Sequence, residues 1–158
     1  MSKSHQGFTL IEALIVLAIL GVLLSLMAGS LRSDRIAVNQ AAQGLAANVT
    51  RARLEAIKNN TYAGLSVNTS QKSYAVWVDT NGNAAFDPGT DRVLQRVVLG
   101  QGELAKVTMG SGTTLTSIVF DSRGIPQDQL GGTVVLTNQS NTHSKTITVN
   151  TQGRASIQ

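Results

Sequence analysis

Residues 8 to 31 read FTLIEALIVLAILGVLLSLMAGSL and carry one charge, Glu12. No other stretch constrains the fold as strongly. As one helix rising ~1.5 Å per residue, these 24 residues span ~36 Å, enough to cross a ~30 Å hydrocarbon core. Only seven residues precede them, with Lys3 as the basic side chain. A short cationic flank stays on the cytoplasmic side, so this reading expects a single-pass segment with the remainder of the chain outside.

An ordinary secretory signal fits this run badly. Such signals have an apolar stretch of ~7–15 residues followed by a small-residue cleavage site, and here the apolar run is longer. A plain membrane anchor leaves Glu12 unexplained, because a carboxylate within a membrane helix costs at least ~2.5–3.5 kcal/mol and is normally kept for a partner.

No proline interrupts residues 8 to 60. Beyond Arg32 the pattern turns amphipathic: Val38, Ala42, Leu45, Val49, Ala52 and Ala56 follow the alternating four- and three-residue spacing of one helix face. Together these features predict one helix from about Phe8 to Asn59, lipid- or fibre-facing in its first half and packed on a sheet in its second, with Asn59-Asn60 as the stop. Gly21 and Gly29 each weaken it by about 1 kcal/mol relative to alanine.

The later chain alternates short β-like runs with turn signals. Strands are predicted at Tyr62–Val67, Tyr74–Asp79, Val93–Leu99, Leu104–Met109, Ser117–Phe120, Thr133–Thr137, Lys145–Val149 and Arg154–Ile157. No crossover helices separate them, so antiparallel sheets are expected. The net charge of the chain is +4, but from Ser66 onward seven basic residues face six acids. The β-rich part is thus nearly neutral, and the basic pI is a poor argument for nucleic acid binding. Absence of cysteine excludes disulfides, thiolate catalysis and Cys-type zinc sites.

Gly7-Phe8-Thr9-Leu10-Ile11-Glu12 resembles the type III signal of type IV pilins and type II secretion pseudopilins. The resemblance implies cleavage after Gly7, N-methylation of Phe8, and an assembly role for Glu12, which becomes the fifth residue of the mature chain. The new amine at Phe8 lies four residues from Glu12, so the amine of one subunit can meet the carboxylate of the next and set register. Within that superfamily, ARLEAIKNNTYAGLSVN (52–68), IVFDSRGIPQDQLGGTVVLTN (118–138) and KTITVNTQGRAS (145–156) are similar to the GspH/FimT pseudopilin group. The implied fold is α+β and type IV pilin-like, one long N-terminal helix with a membrane-spanning first half packed on antiparallel sheet. The implied organisation is a leader over 1–7, a transmembrane half-helix over 8–31, an amphipathic half-helix over 32–60 and a β-rich domain over 61–158.

The resemblance implies a non-enzymatic minor subunit of a secretion pseudopilus or type IV pilus. Its expected location is the inner membrane, then a periplasmic pseudopilus or a surface pilus. Its expected partners are a prepilin peptidase, other pilins or pseudopilins, an inner-membrane assembly platform and membrane lipid. Two alternatives are a minor type IV pilin for DNA uptake or adhesion, and a membrane-anchored binding protein that never polymerises. The second could use calcium: Asp79, Asn81, Asn83, Asp87 and Asp91 place hard oxygen ligands at near-alternate positions. Two features depart from a calcium loop, Ala84 where glycine is needed and Thr90 where a bidentate glutamate belongs. The turn-forming power of Asn-Gly, Pro-Gly and Asp accounts for the same residues. For DNA, Lys145 and Arg154 stand in a C-terminal stretch without acids, two charges that touch phosphates only weakly. For catalysis, His143 in a polar loop reads as a solvated side chain, and no nucleophile motif accompanies it.

Overall fold

In the computed structural model, residues 10–30, 33–128 and 131–158 are described. Among them the chain forms helices α1 (Leu10–Ser30) and α2 (Ser33–Asn59), strands β1 (Ala63–Asn68), β2 (Ser73–Val78) and β3 (Arg92–Val98), and a 3-10 turn at Gly102–Leu104. Strands β4 (Val107–Met109), β5 (Ser117–Phe120), β6 (Gly132–Asn138), β7 (Ser144–Val149) and β8 (Ala155–Ile157) complete the order. The chain divides into two compact units, residues 1–33 and 34–158.

The first unit corrects the membrane expectation. Among the described residues no helix is long and apolar enough to cross a membrane. The expected 8–31 span needed one uninterrupted apolar helix; α1 begins at Leu10 and ends at Ser30, while Phe8, Thr9 and Leu31 lie outside the described residues. Helix α2 is too polar for the purpose, with Asp34, Arg35, Arg51, Arg53, Glu55 and Lys58 along it. The transmembrane half-helix, the single-pass topology and the inner-membrane placement drawn from it therefore do not stand. Of the expected helix 8–59, residues 10–30 and 33–59 are helical as α1 and α2, and residues 31 and 32 lie outside the described residues.

In the second unit, α2 buries the face its spacing predicts. Val38, Ala42, Leu45, Val49, Ala52 and Ala56 are each at most 1% exposed, and they share one core cluster with both sheets. Helix α2 ends as the paired asparagines suggest. Asn60 takes a left-handed φ of 51°. Its N–H donates to the Ile57 carbonyl (3.3 Å), and that of Thr61 to the Ala56 carbonyl (3.2 Å). This Schellman arrangement satisfies two helix-end carbonyls.

Every strand pairing is antiparallel among the described residues, in two four-stranded sheets ordered β3-β2-β1-β5 and β4-β6-β7-β8. Seven of the eight predicted strands appear within one residue at each end. The fourth starts late: Gly102–Leu104 is a 3-10 turn in which Leu104 donates its N–H to the Gln101 carbonyl, and pairing begins only at Val107.

Strand β2 is buried at every position. Its inner residues Tyr74, Val76 and Val78 join the core with Leu65, Ile118 and Phe120. On the outer face Trp77 lies opposite Gly64. A Cβ on Gly64 would fall 2.6 Å from the Ile118 carbonyl oxygen and 2.9 Å from the indole Cζ2, so the missing side chain makes room for the ring.

Candidate functional site

Three places carry residues with chemistry to offer. The first is the N-terminal motif. Gly7 and Phe8 lie outside the described residues; Glu12 stands in the first turn of α1. Large apolar side chains of α1 are open to solvent, with Leu10, Ile11 and Leu17 at 84%, 68% and 69% exposure.

The second is the 79–91 loop between β2 and β3. The structure brings all five proposed oxygen donors together in one hydrogen-bonded knot. Asp79 is 3% exposed; its Oδ1 accepts the N–H of Asn81 (2.9 Å) and of Gly82 (2.7 Å), and its Oδ2 that of Ala84 (2.7 Å). Asp91, also buried, accepts the N–H of Thr80 on Oδ1 and of Asp87 on Oδ2. The Asp87 Oδ2 accepts both side-chain amides, Asn81 (2.8 Å) and Asn83 (2.6 Å). These two amides hold the Asp87 carboxyl below its ordinary pKa, against a smaller effect of burial. The backbone at Ala84 adopts φ 59°, the conformation a glycine would take there. Among the described residues no group of three or more His, Cys, Asp or Glu side chains is clustered to hold a metal ion.

The third is the C-terminal hairpin. Lys145 and Arg154 are not brought together. Strand β7 pairs antiparallel with β8, Val149 opposite Ala155, and Asn150 is joined to Arg154 by a backbone hydrogen bond. Lys145 therefore lies five residues along the strand from the Arg154 end, ~17 Å at ~3.4 Å per residue. Arg154 instead shares a cleft with Arg53 of α2. Sequence order hides this partnership, since Arg53 reads as one more charge on the helix surface.

His143 is half-buried rather than solvated. Its Nε2 is shielded from solvent without a hydrogen-bond partner among the described residues. The β6–β7 turn that carries His143 is folded around buried Asn138. That side chain accepts the N–H of Thr142 and His143 on Oδ1 and donates from Nδ2 to the hydroxyls of Ser140 and Thr142.

Residues 41–153 match the family described as type II transport protein GspH. The chain belongs to that family. Residues 2–28 match the prokaryotic N-terminal methylation motif, which places this GspH member in the wider type IV pilin and pseudopilin superfamily. The pilin-like protein PilA1 of Thermus thermophilus is 41% identical over 159 aligned residues, covering 98% of this chain and 99% of that protein. The fold is shared with the type IV minor pilin FimU of Pseudomonas aeruginosa (TM-score 0.57, 17% identity, 80% of this chain and 91% of that one). It is shared too with the minor pseudopilin EpsH of the Vibrio cholerae type 2 secretion system (TM-score 0.54, 13% identity, 77% and 95%).

Proposed function

We propose that this chain is a minor structural subunit of a type II secretion pseudopilus or a type IV pilus, and not an enzyme. One observation carries the reading: a methylation motif over residues 2–28 and a GspH match over 41–153 stand in the same chain. Its relatives are named as a pilin-like protein, a minor pilin and a minor pseudopilin, structural components in each case. Membership of the family implies the partners typical of pilus or type II secretion assembly. In our reading these are a prepilin peptidase that cuts between Gly7 and Phe8, other pilins or pseudopilins, and an assembly platform. The same peptidase methylates the Phe8 amine.

The apolar exposure of α1 supports assembly through that helix. A contiguous apolar surface of this extent marks an interaction site, and like helices of neighbouring subunits would cover it. In such a core the Phe8 amine of one subunit meets the Glu12 carboxylate of another. Opposite charges attract far more strongly there than in water, and a one-residue slip separates them, so the pair fixes register.

Intact-mass measurement on the native protein tests processing: the expected mass lacks residues 1–7 and carries one added methyl group, and an unprocessed N-terminus would overturn the reading. Glu12→Ala is expected to be processed normally yet incorporated into fibres at a small fraction of the wild-type level. Wild-type incorporation would remove Glu12 from the assembly role.

A further inference from the structure

The cleft shared by Arg53 and Arg154 has a volume of about 600 Å³ and is bounded by α2, the turn after β5 and the β7–β8 turn. Its polar lining is Arg53, Thr151, Gln152 and Arg154, and its apolar wall Ile125 and Pro126; among the described residues no carboxylate lines it. Neither guanidinium makes an ion pair among the described residues.

The surroundings explain why both charges are left uncompensated. The acid of the adjoining turn, Asp121, is already committed. Its Oδ2 accepts Nε (3.0 Å) and Nη2 (2.8 Å) of Arg123, and its Oδ1 accepts the N–H of Arg123 and of Ile125. Glu55 is likewise taken up, by Lys58 and Asn59.

Arg53 is braced along its stem, and Arg154, whose side chain is exposed, is fixed at its backbone. The stem of Arg53 crosses Gly124, where an added Cβ would come within 3.1 Å of its Cγ and Nε. The backbone of Arg154 is fixed by Asn150, whose Oδ1 accepts its N–H (2.8 Å) and whose own N–H donates to the Arg154 carbonyl (3.0 Å). The Thr151 hydroxyl and the Gln152 side-chain amide have no protein partner among the described residues, so they remain as further donors.

A concave surface with two cations, two neutral polar groups and no acid concentrates anions. Planar guanidinium forks match the paired oxygens of carboxylate and phosphate. We propose that this cleft is an oxyanion-binding site, taking a carboxylate or phosphate group between Arg53 and Arg154. Lys145, at the far end of β7, takes no part.

Thermal melting of the full chain, titrated with inorganic phosphate and separately with citrate against sodium chloride at equal ionic strength, tests the site. The expected result is a saturable rise in Tm, about 3–6 °C at ten times the dissociation constant, with at least one anion. Phosphate alone assigns phosphate chemistry, citrate alone carboxylate chemistry, and both a general oxyanion site. Arg53→Gln and Arg154→Gln are each expected to weaken the apparent affinity at least fivefold while leaving Tm in chloride unchanged. Lys145→Gln is expected to change nothing, and Arg53→Lys, which keeps charge and stem, to retain part of the affinity. No rise beyond that in chloride, or an equal rise in the Arg53→Gln/Arg154→Gln double variant, overturns the proposal.

Discussion

Phe86 lies against Trp77, with ring centroids 5.5 Å apart and planes tilted by 30°. Trp77 is fully buried although it points away from the main core. Its indole N–H donates to the Ser66 hydroxyl (3.0 Å), so both its apolar body and its polar edge are satisfied. The 79–91 loop is thereby a cover for the outer face of the first sheet. Phe86→Ala is expected to cost about 2 kcal/mol, from the lost ring contact and the exposed indole. Trp77 is the chain's one tryptophan, so its fluorescence reports the change directly: emission should shift to the red in the folded variant. An unshifted spectrum would mean that Phe86 is not the lid.

Asp79 holds the loop that delivers Phe86. Asp79→Ala removes the buried carboxylate that three loop N–H groups bond at 2.7–2.9 Å, and hydrogen bonds to a charged acceptor are the stronger kind. We expect a loss of about 3 kcal/mol or more in urea unfolding. Asp87→Ala, at a more open position, should cost distinctly less. Equal losses would show that the loop is not organised around Asp79.

Ala84 supplies a backbone test. A non-glycine residue at φ 59° carries a strain of about 1–2 kcal/mol, which exceeds the extra unfolded-state entropy of glycine. Ala84→Gly should therefore stabilise the protein by about 0.5–1 kcal/mol, read as a Tm increase of a few degrees. A lower Tm would mean that the left-handed backbone is not kept in solution.

The acid limb of stability involves Asp121. The backbone N–H of Ile125 is the largest influence lowering its pKa; Arg123 adds to it, and partial desolvation opposes it. A carboxylate depressed in the folded state stabilises above its unfolded pKa of about 4, and that contribution disappears as pH falls through the folded value. Tm should drop more steeply below pH 4 in the wild type than in Asp121→Asn. Parallel profiles would contradict this.

The alkaline limb involves Tyr74. Burial raises its pKa, and the hydrogen bond from the Asn48 amide offsets part of that rise. With a raised folded pKa, stability is intact below about pH 10 and falls as pH climbs through the folded value. Tyr74→Phe should flatten that fall. At neutral pH it should cost about 1 kcal/mol, because the buried Asn48 amide loses its acceptor. A wild-type alkaline profile in Tyr74→Phe would place the titration elsewhere.

Much of the second unit was legible in residue order alone. The spacing Val38-Ala42-Leu45-Val49-Ala52-Ala56 marked the buried face because helical periodicity is local. The asparagines at 59 and 60 marked its end because a left-handed residue is tolerated there. What the residues did not announce depends on distant partners. Nothing in the order of strands says that β5 returns beside β1 while β4, before it, already belongs to the second sheet with β6, β7 and β8. The turn signals around Asn81 and Pro88 concealed the one residue, Phe86, that gives the loop its packing role. Arg53 and Arg154 are joined only by the fold. The apolar run invited a membrane span because composition was summed over residues 8–31, of which the described part is Leu10–Ser30.

Helix α2 is the common wall of both sheets: one core cluster contains its inner residues together with those of β1, β2, β5, β6 and β7. Neither sheet can shed the helix and keep its own interior dry. The 34–158 unit is accordingly expected to melt in one cooperative step, with no half-open form in which one sheet survives alone. Any pull on the helix is resisted by both sheets at once.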